Sequence, residues 1–329
     1  MATAFVQQND AFVKASILSA APTADPYWYH VALTWEHLAG LVAGYEASGQ
    51  EPLLSRTDFL LLNAMVDLSS IIHRPFLNSE AAVREYTRET THCSALVKVA
   101  PDLSELWTSH NTWTGFFTML RVIKKITLPF NNPTPGAPKL EVPAEAVVFS
   151  GYFGTLASTD DFFVLSSGLV VQETTNAVYN MTLLATISPR SVLTWARSIV
   201  ANRIAADGEA WTQIFRRHNS GTINNQWMVV DYNRFEPGKP LVAGTLWVLE
   251  QLPGFIEAAD MTRTLAYGYW PSYNRPYFES VRDRSGAKEM ASRYGEDYSY
   301  ELYSRGQWHA LIVFCHMRQP RYSVAIMAR

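Results

Sequence analysis

An α+β sandwich, with helices layered on antiparallel sheet, is the fold class this sequence predicts, and three observations carry it. The first 80 or so residues place apolar positions at helical spacing. From Cys93 onward the chain breaks into short strand-length runs parted by turn residues, and a helical pattern returns between Ser188 and Ala206. Hydrophobic residues are 48% of 329, enough for a substantial core, which argues against disorder.

The elements follow in order. Tyr29 to Tyr45 (YHVALTWEHLAGLVAGY) has the period of a helix with one buried face, and so does Arg56 to Ile72 (RTDFLLLNAMVDLSSII), with Ser55 placed to cap it. CSALVKVA and SELWTSHNTW read as strands, and the turn signal Pro101-Asp102 between them folds the second back on the first, bringing His110 toward Cys93. A Pro-, Asn- and Gly-rich loop, NNPTPGAPK, covers 131–139. EAVVFSGYFGTLAS and DFFVLSSGLVVQETT read as strands, then SPRSVLTWARSIVANRIAA as one long helix with Pro189 in its first turn. QWMVVD (226–231) and TLWVLEQ (245–251) complete the expected strands.

Composition removes several function classes. A net charge of −3 with 17% charged residues gives no strong basic field, so neither nucleic acid nor a polybasic membrane anchor is expected. Aromatic residues, at 13%, leave room for an apolar or lipid-binding surface. Two cysteines, Cys93 and Cys315, make neither a disulfide framework nor a CxxC zinc spacing. No GxSxG elbow, Walker A, HExxH or dinucleotide fingerprint occurs, so no metal or cofactor is expected. No run of 18 apolar residues occurs, so no transmembrane segment is expected. The start, MATAFVQQNDAFVKASILSAA, lacks the basic region and continuous apolar core of a signal peptide.

What remains is a set of polar clusters: His110-Asn111-Thr112-Trp113, the segment HNSGTINNQW from His218 to Trp227, and WPSYNRP from Trp270 to Pro276. Each reads two ways. Cys93 is either a small buried hydrophobe opening a strand or a nucleophile. His110 is either a satisfied core histidine or a pocket residue, and the asparagines are either turn formers or aligned donors. Periodicity and spacing alone stop at an α+β domain.

Taken together and in order, HCSALVKVAPDLSELWTSHNTW, MLRVIKK, SGLVVQETTN, NSGTINNQWMVVDY, LEQLPG and GYWPSYNRP closely resemble the phospholipase B-like, or lamina ancestor, family. The resemblance extends upstream through DPYWYHVALTWEHLAGL and FLLLNAMVDL and covers roughly residues 25 to 305. That family is similar to the N-terminal nucleophile hydrolases, which implies an αββα four-layer sandwich and self-cleavage immediately before the nucleophile. Relatives continue further at both ends, so the sandwich here is expected in shortened form.

The resemblance implies that Cys93 is the nucleophile and His92–Cys93 the bond cut. It divides the chain into a mostly helical N-terminal segment, 1–92, a hydrolase core, 93–305, and a divergent tail, 306–329, in which Cys315 has no assigned role. The N-terminal fragment is expected to stay associated with the core. Asn274 matches an oxyanion donor, His110, Asn111 and Trp113 match a segment lining the nucleophile pocket, and Arg305 matches an arginine beside it. Asn219, Thr222, Asn224 and Asn225 would orient the site. The family also implies a lysosomal or secreted glycoprotein, with Asn180 of Asn180-Met181-Thr182 as candidate acceptor.

The chemistry implied is coherent. In the precursor, the Cys93 thiol attacks the His92 carbonyl, the acyl group moves from nitrogen to sulfur, and water hydrolyses the thioester, freeing an amine. An α-amino group titrates near about 8, so it serves as a base toward a thiol of about 8.5. Three functions follow as expectations: a hydrolase releasing fatty acid from phospholipids, an amidase acting on lipid or peptide amides through the same groups, and an unprocessed, non-catalytic relative.

Overall fold

Two antiparallel sheets stacked face to face organise this computed structural model, which describes residues 1–20, 25–73, 79–90, 93–130 and 142–307. The larger is a seven-stranded meander in chain order: β3 (Val122–Thr127), β4 (Ala146–Gly151), β5 (Phe162–Leu165), β6 (Leu169–Thr175), β7 (Asn225–Asp231), β8 (Leu246–Leu252) and β9 (Phe255–Asp260). The smaller has the order β10 (Tyr269–Ser272), β1 (Cys93–Val99), β2 (Leu106–Thr112).

Strand alternation sorts the core into two layers. On β7, Trp227 and Val229 pack with Trp211 and Phe215 of helix α8 (Gly208–Phe215) and with Ala201 of helix α7 (Thr194–Ile204). Met228 and Val230 belong instead to the cluster of Ala95, Val97 and Trp270 from the small sheet. A central strand buried on both faces is the reason β7 reads as an almost unbroken apolar run.

Four N-terminal helices build outward over α7: α1 (Ala2–Ser19), α2 (Pro26–Ser48), α3 (Arg56–Asn63) and α4 (Met65–His73). Asp25 caps α2 through the Tyr27 N–H, and Ser55 with Asp58 closes a capping box on α3. Trp35 of α2 stacks on Trp195 of α7 with ring centroids 5.4 Å apart. Val31, Trp35 and Leu38 share one continuous hydrophobic cluster with the inter-sheet core, so the N-terminal helices are part of the same packed body.

Three of the four expected layers are thus present among the described residues: helices, large sheet, small sheet. The outer face of the small sheet is partly open, with Trp107 42% exposed. No helix among the described residues is long and apolar enough to cross a membrane.

Several expected elements shift, each for a local reason. The helix expected over Arg56 to Ile72 breaks at Ala64 into α3 and α4. DFFVLSSGLVVQETT is a hairpin, β5 and β6, turning at Gly168 with φ 83°, a backbone state glycine adopts without a Cβ clash. EAVVFSGYFGTLAS is strand only to Gly151. The helix expected from Ser188 begins at Thr194. Asn9 of α1 takes up the carbonyls of Pro189 and Ser191, and Asp67 of α4 accepts the N–H groups of Thr194 and Trp195 and so starts the helix there. The 131–139 loop lies outside the described residues, as do His92 and Cys315.

Candidate active site

The site begins with the β1–β2 hairpin. Register pairs Cys93 with Thr112 and Ala95 with His110, so these side chains share the face turned toward β6. Cys93 is 3% exposed, and its Sγ lies 3.6 Å from Thr112 Oγ1. Asn111 pairs with Ser94, one residue out of phase, and therefore lies on the opposite face of the sheet from the thiol.

Both sides of the Cys93 backbone are held. Its N–H donates to Asn274 Oδ1 at 3.3 Å, and its carbonyl accepts from Arg305 Nη1 at 2.9 Å. Arg305 Nη2 also donates to Asn274 Oδ1 at 2.8 Å, so one guanidinium ties the two residues together. Asn274 in turn donates through Nδ2 to the Thr175 carbonyl at 2.6 Å. The Arg305 guanidinium lies 5.2 Å from the Trp113 ring and 5.1 Å from the Tyr303 ring, which limits where it can swing.

Asn274 owes its position to a turn in which it adopts φ 68°, a conformation asparagine tolerates better than most residues. Buried Glu250 of β8 pins the far side of that turn by accepting the N–H groups of Tyr277 at 2.7 Å and Phe278 at 3.0 Å. Burial pushes the Glu250 carboxyl up to about 7 despite those bonds.

Cys93 opens onto a cavity of about 330 Å³ between the small sheet, β6 and helix α4. Met65 and Ser70 of α4 and Tyr86 of helix α5 (Glu80–Thr90) close one side, so the N-terminal segment walls the chamber beside Cys93. Asp160, Asp161 and Glu173 line it as well. Asp161 precedes β5, Glu173 lies on β6, and the hairpin register brings them together, with the Glu173 N–H on the Asp161 carbonyl at 3.1 Å.

Electrostatics follow from this placement. Burial, then the Asp161 carboxyl, raises Glu173 well above the carboxylate range, and burial likewise raises Asp161, so the pair holds a proton. The Cys93 thiol is pushed up by burial first and by Glu173 and Asp161 next, against bonds from Thr112 and the Thr175 backbone that favour thiolate. His110 is turned to β6, where its Nε2–H donates to the Glu173 carbonyl at 2.7 Å, and burial lowers its pKa to about 4. It is a neutral strap between the sheets at pH 7.

The remaining expected residues divide. Asn224 lines the cavity; Asn225, 1% exposed, opens β7 opposite Thr175. Thr222 and Asn219 are away from it. The Thr222 hydroxyl donates to Asp67 and accepts from Ser220, and Asn219 donates to the Leu252 carbonyl at 2.8 Å while accepting the Gly221 N–H, the bonds of a folded turn. Asn180 caps the short helix α6 (Met181–Leu184), and its amide nitrogen donates to the Arg284 carbonyl at 3.0 Å. Sequence reasoning missed Asp161, Glu173 and Asn176, and gave Thr112, inside the His110–Trp113 cluster, no role of its own. Glu173 carried a readable signal: a carboxylate inside LVVQETT, a strand whose other residues apart from Gln172 are apolar or β-branched. Among the described residues no cluster of three or more His, Cys, Asp or Glu could hold a metal ion.

With this geometry in place, comparison with known proteins is informative. The profile of the Phospholipase B family matches residues 1–310. Phospholipase B-like protein B of Dictyostelium discoideum is 42% identical over 312 residues, covering 92% of this chain and 53% of that protein. Phospholipase-B 81 of Drysdalia coronoides is 33% identical, covering 92% of this chain and 55% of its own length. The chain therefore spans about half the length of the curated relatives it matches. Among solved structures, the C2A mutant of conjugated bile acid hydrolase from Clostridium perfringens aligns over 62% of this chain and 59% of its own, with TM-score 0.32 and 14% identity. Family profile and relatives agree across nearly all of the sequence: the chain belongs to the Phospholipase B family.

Proposed function

We propose that this chain carries the nucleophile of a phospholipase B-like acyl hydrolase, and that Cys93 becomes a new N-terminus by cleavage of the His92–Cys93 bond. The observation that carries the reading is the clamp on Cys93: a buried thiol opening on a cavity, its N–H on Asn274 and its carbonyl on Arg305. A residue that must attack a carbonyl needs its sulfur fixed against rotation of its own backbone, and this clamp supplies that.

The thiol's raised pKa makes a base necessary. In the uncut chain Cys93 nitrogen is an amide and takes no proton. Thiol attack on the His92 carbonyl forms a C–S bond and breaks the C–N bond, the proton passes to the departing nitrogen, and water then hydrolyses the thioester to leave His92 as a carboxylate. The amine so freed sits beside its own thiol and removes the proton that burial holds there. Turnover repeats the sequence on substrate: the thiolate adds to an acyl carbonyl, the alcohol or amine leaves with a proton, and water releases the acid. Once Cys93 nitrogen is an amine, Asn274 Oδ1 orients it, and the second Asn274 Nδ2 hydrogen, beside the one on Thr175, is the proposed oxyanion donor. The shared core of helices and sheets supports continued association of the two fragments after the cut.

Phospholipid as substrate rests on the family and on the names of the relatives. The test is release of fatty acid from phosphatidylcholine and from an amide of the same acyl chain, by wild type and by Cys93→Ser. Loss of hydrolysis in the variant supports the assignment, and full activity in Cys93→Ser on every acyl substrate sinks it.

A further inference from the structure

Asn274 stands where three stretches of chain meet: the end of β6 at Thr175, the end of β10 at Ser272, and the turn that runs from Tyr273 to Phe278 into the helix Glu279–Ser285. It is fully buried, and its amide is in use at both ends: Oδ1 accepts from the Cys93 N–H and from Arg305, and Nδ2 donates to the Thr175 carbonyl. A side chain so held is placed only as well as the backbone behind it.

One carboxylate ties those stretches together. Glu250 of β8 is fully buried and accepts four hydrogen bonds, each from a different residue. The Tyr277 and Phe278 N–H groups, at 2.7 and 3.0 Å, belong to the turn. Asn176 Nδ2, at 3.1 Å, belongs to the residue after Thr175. Gln226 Nε2 donates at 2.7 Å, and Gln226 Oε1 accepts the Trp270 Nε1–H of β10 at 3.1 Å, which fixes the orientation of that amide. β6 and β10 also meet directly, Thr174 Oγ1 lying 2.7 Å from Ser272 Oγ, but that bond does not reach the turn. Arg275 braces the turn from the other side, with its nitrogens spent on the carbonyls of Asp297 and Asn274. Burying a carboxylate is costly for stability, and what this one provides is a common anchor.

We infer that Glu250 is a positioning residue for the reaction at Cys93: by joining the ends of β6 and β10 to the turn after Tyr273, it sets where Asn274 meets the Cys93 nitrogen and the acyl oxygen. Glu250 is not among the described residues that line the cavity, and it acts through Asn274. The inference rests on the proposed function, in which Asn274 orients the freed amine and donates to the oxyanion. Glu250→Gln keeps the size and one acceptor. Whichever oxygen its amide nitrogen replaces, an N–H of the turn loses its partner.

A double-mutant cycle reads the coupling. Wild type, Glu250→Gln, Asn274→Ala and the double variant are compared at pH 8, above the value of about 7 to which burial raises this carboxyl. Fatty acid release from phosphatidylcholine, or from the amide of the same acyl chain, is expressed per cut chain, and urea unfolding is followed in parallel. Glu250→Gln should lower kcat at least about tenfold with KM within about threefold, since a misplaced donor is missed in the transition state while ground-state binding is kept. In the Asn274→Ala background the same change should lower kcat less than about twofold, because the group it acts through is gone. Gln226→Leu, which unties β10, replaces Glu250→Gln if that variant does not fold. An equal kcat loss in both backgrounds, or a smaller folded fraction with kcat per cut chain unchanged, is the signature of a purely structural residue and overturns the inference. If Asn274→Ala stays uncut, the cycle is read from the unfolding constants: coupling of at least about fivefold, with the kcat loss in Glu250→Gln, upholds the inference, and anything smaller overturns it. Cys93→Ala hydrolysing as well as wild type rejects the nucleophile reading whatever the cycles show. Cys93-dependent hydrolysis with uncoupled cycles keeps that reading and rejects the role of Glu250.

Discussion

Two buried polar clusters lie close together along the chain and are built in opposite ways. Around Asp67 every buried group has a partner. Its carboxyl accepts the N–H groups of Thr194 at 2.9 Å and Trp195 at 3.3 Å and the Thr222 hydroxyl, while Arg197 donates to the carbonyls of Val192 and Phe215 and to Gln251, which reaches back to the carbonyls of Thr222 and Ile223. Two residues past Thr222, Asn224 enters the Cys93 cavity, where its oxygen and those of Glu173 and Asn176 have none. The completed network fixes α4 to α7. The contrast separates residues that hold the fold from residues that line the chamber beside Cys93.

It can be broken at either end. Cys93→Ala should lower hydrolysis at least about a thousandfold with little change in stability, because an alanine fits where a small buried thiol sat. Parallel kinetics and urea unfolding check it, and a large loss of stability would make Cys93 a core residue first. Asp67→Ala should have the converse signature: roughly 3–5 kcal/mol lost in urea unfolding, since two backbone donors at the start of α7 and a threonine hydroxyl lose their acceptor in the interior. Stability within about 1 kcal/mol of wild type would mean that the network is not what docks the N-terminal helices.

Arg305→Ala should slow cleavage before Cys93 and hydrolysis about tenfold or more, with Arg305→Lys recovering only part, because one lysine nitrogen cannot span the Cys93 carbonyl and Asn274 Oδ1 as the fork does. Full recovery by lysine would reduce the arginine to a charge.

The carboxyl pair predicts a pH effect on stability. Glu173 is raised in the fold above its ordinary value of 4.5, so folded protein binds more protons than unfolded, and its contribution is intact below that pH and lost as pH rises toward the elevated value. Glu173→Gln removes this loss. Relative to wild type, the variant should gain stability between pH 5 and pH 8 in urea titrations; parallel curves would show that the pair is not proton-bearing. The smallest effect belongs to Asn111→Ala, expected to leave hydrolysis within about twofold, since Asn111 lies on the face of the sheet away from the thiol.

Those predictions separate residues that one stretch of sequence had grouped. HNSGTINNQW is a single word of amides and hydroxyls, yet Asn219 and Thr222 complete a turn and the Asp67 network while Asn224 reaches the cavity. Alternation decides the matter in a strand, as for His110 and Asn111, but in a loop the direction of each side chain depends on partners far along the chain. Helix α2, β7 and β8 were legible from their apolar patterns, and the β1–β2 hairpin from the Pro101-Asp102 turn signal between its strands. The start of α7 was not: Pro189 suits a first turn locally, and what delays the helix is Asn9, some 180 positions earlier. Strands β3 and β10, six and four residues long, carry too few positions to establish a period.

The family resemblance supplied Cys93, Asn274 and Arg305, and the structure joins these three by direct hydrogen bonds. The resemblance gave Asp161 and Glu173 no role. Their meeting follows from the hairpin register Phe162 with Gln172, which a reading of DFFVLSSGLVVQETT as one strand conceals.

The central claim is that Cys93 is both nucleophile and the first residue of a mature chain. Intact mass of the purified protein, with N-terminal sequencing of each species, tests it most directly. The account predicts two fragments that stay together under native conditions, the second beginning at Cys93, and a single uncut chain for Cys93→Ala. A wild-type protein that hydrolyses acyl substrate while remaining one chain, or a Cys93→Ala variant cut at the same bond, would contradict it.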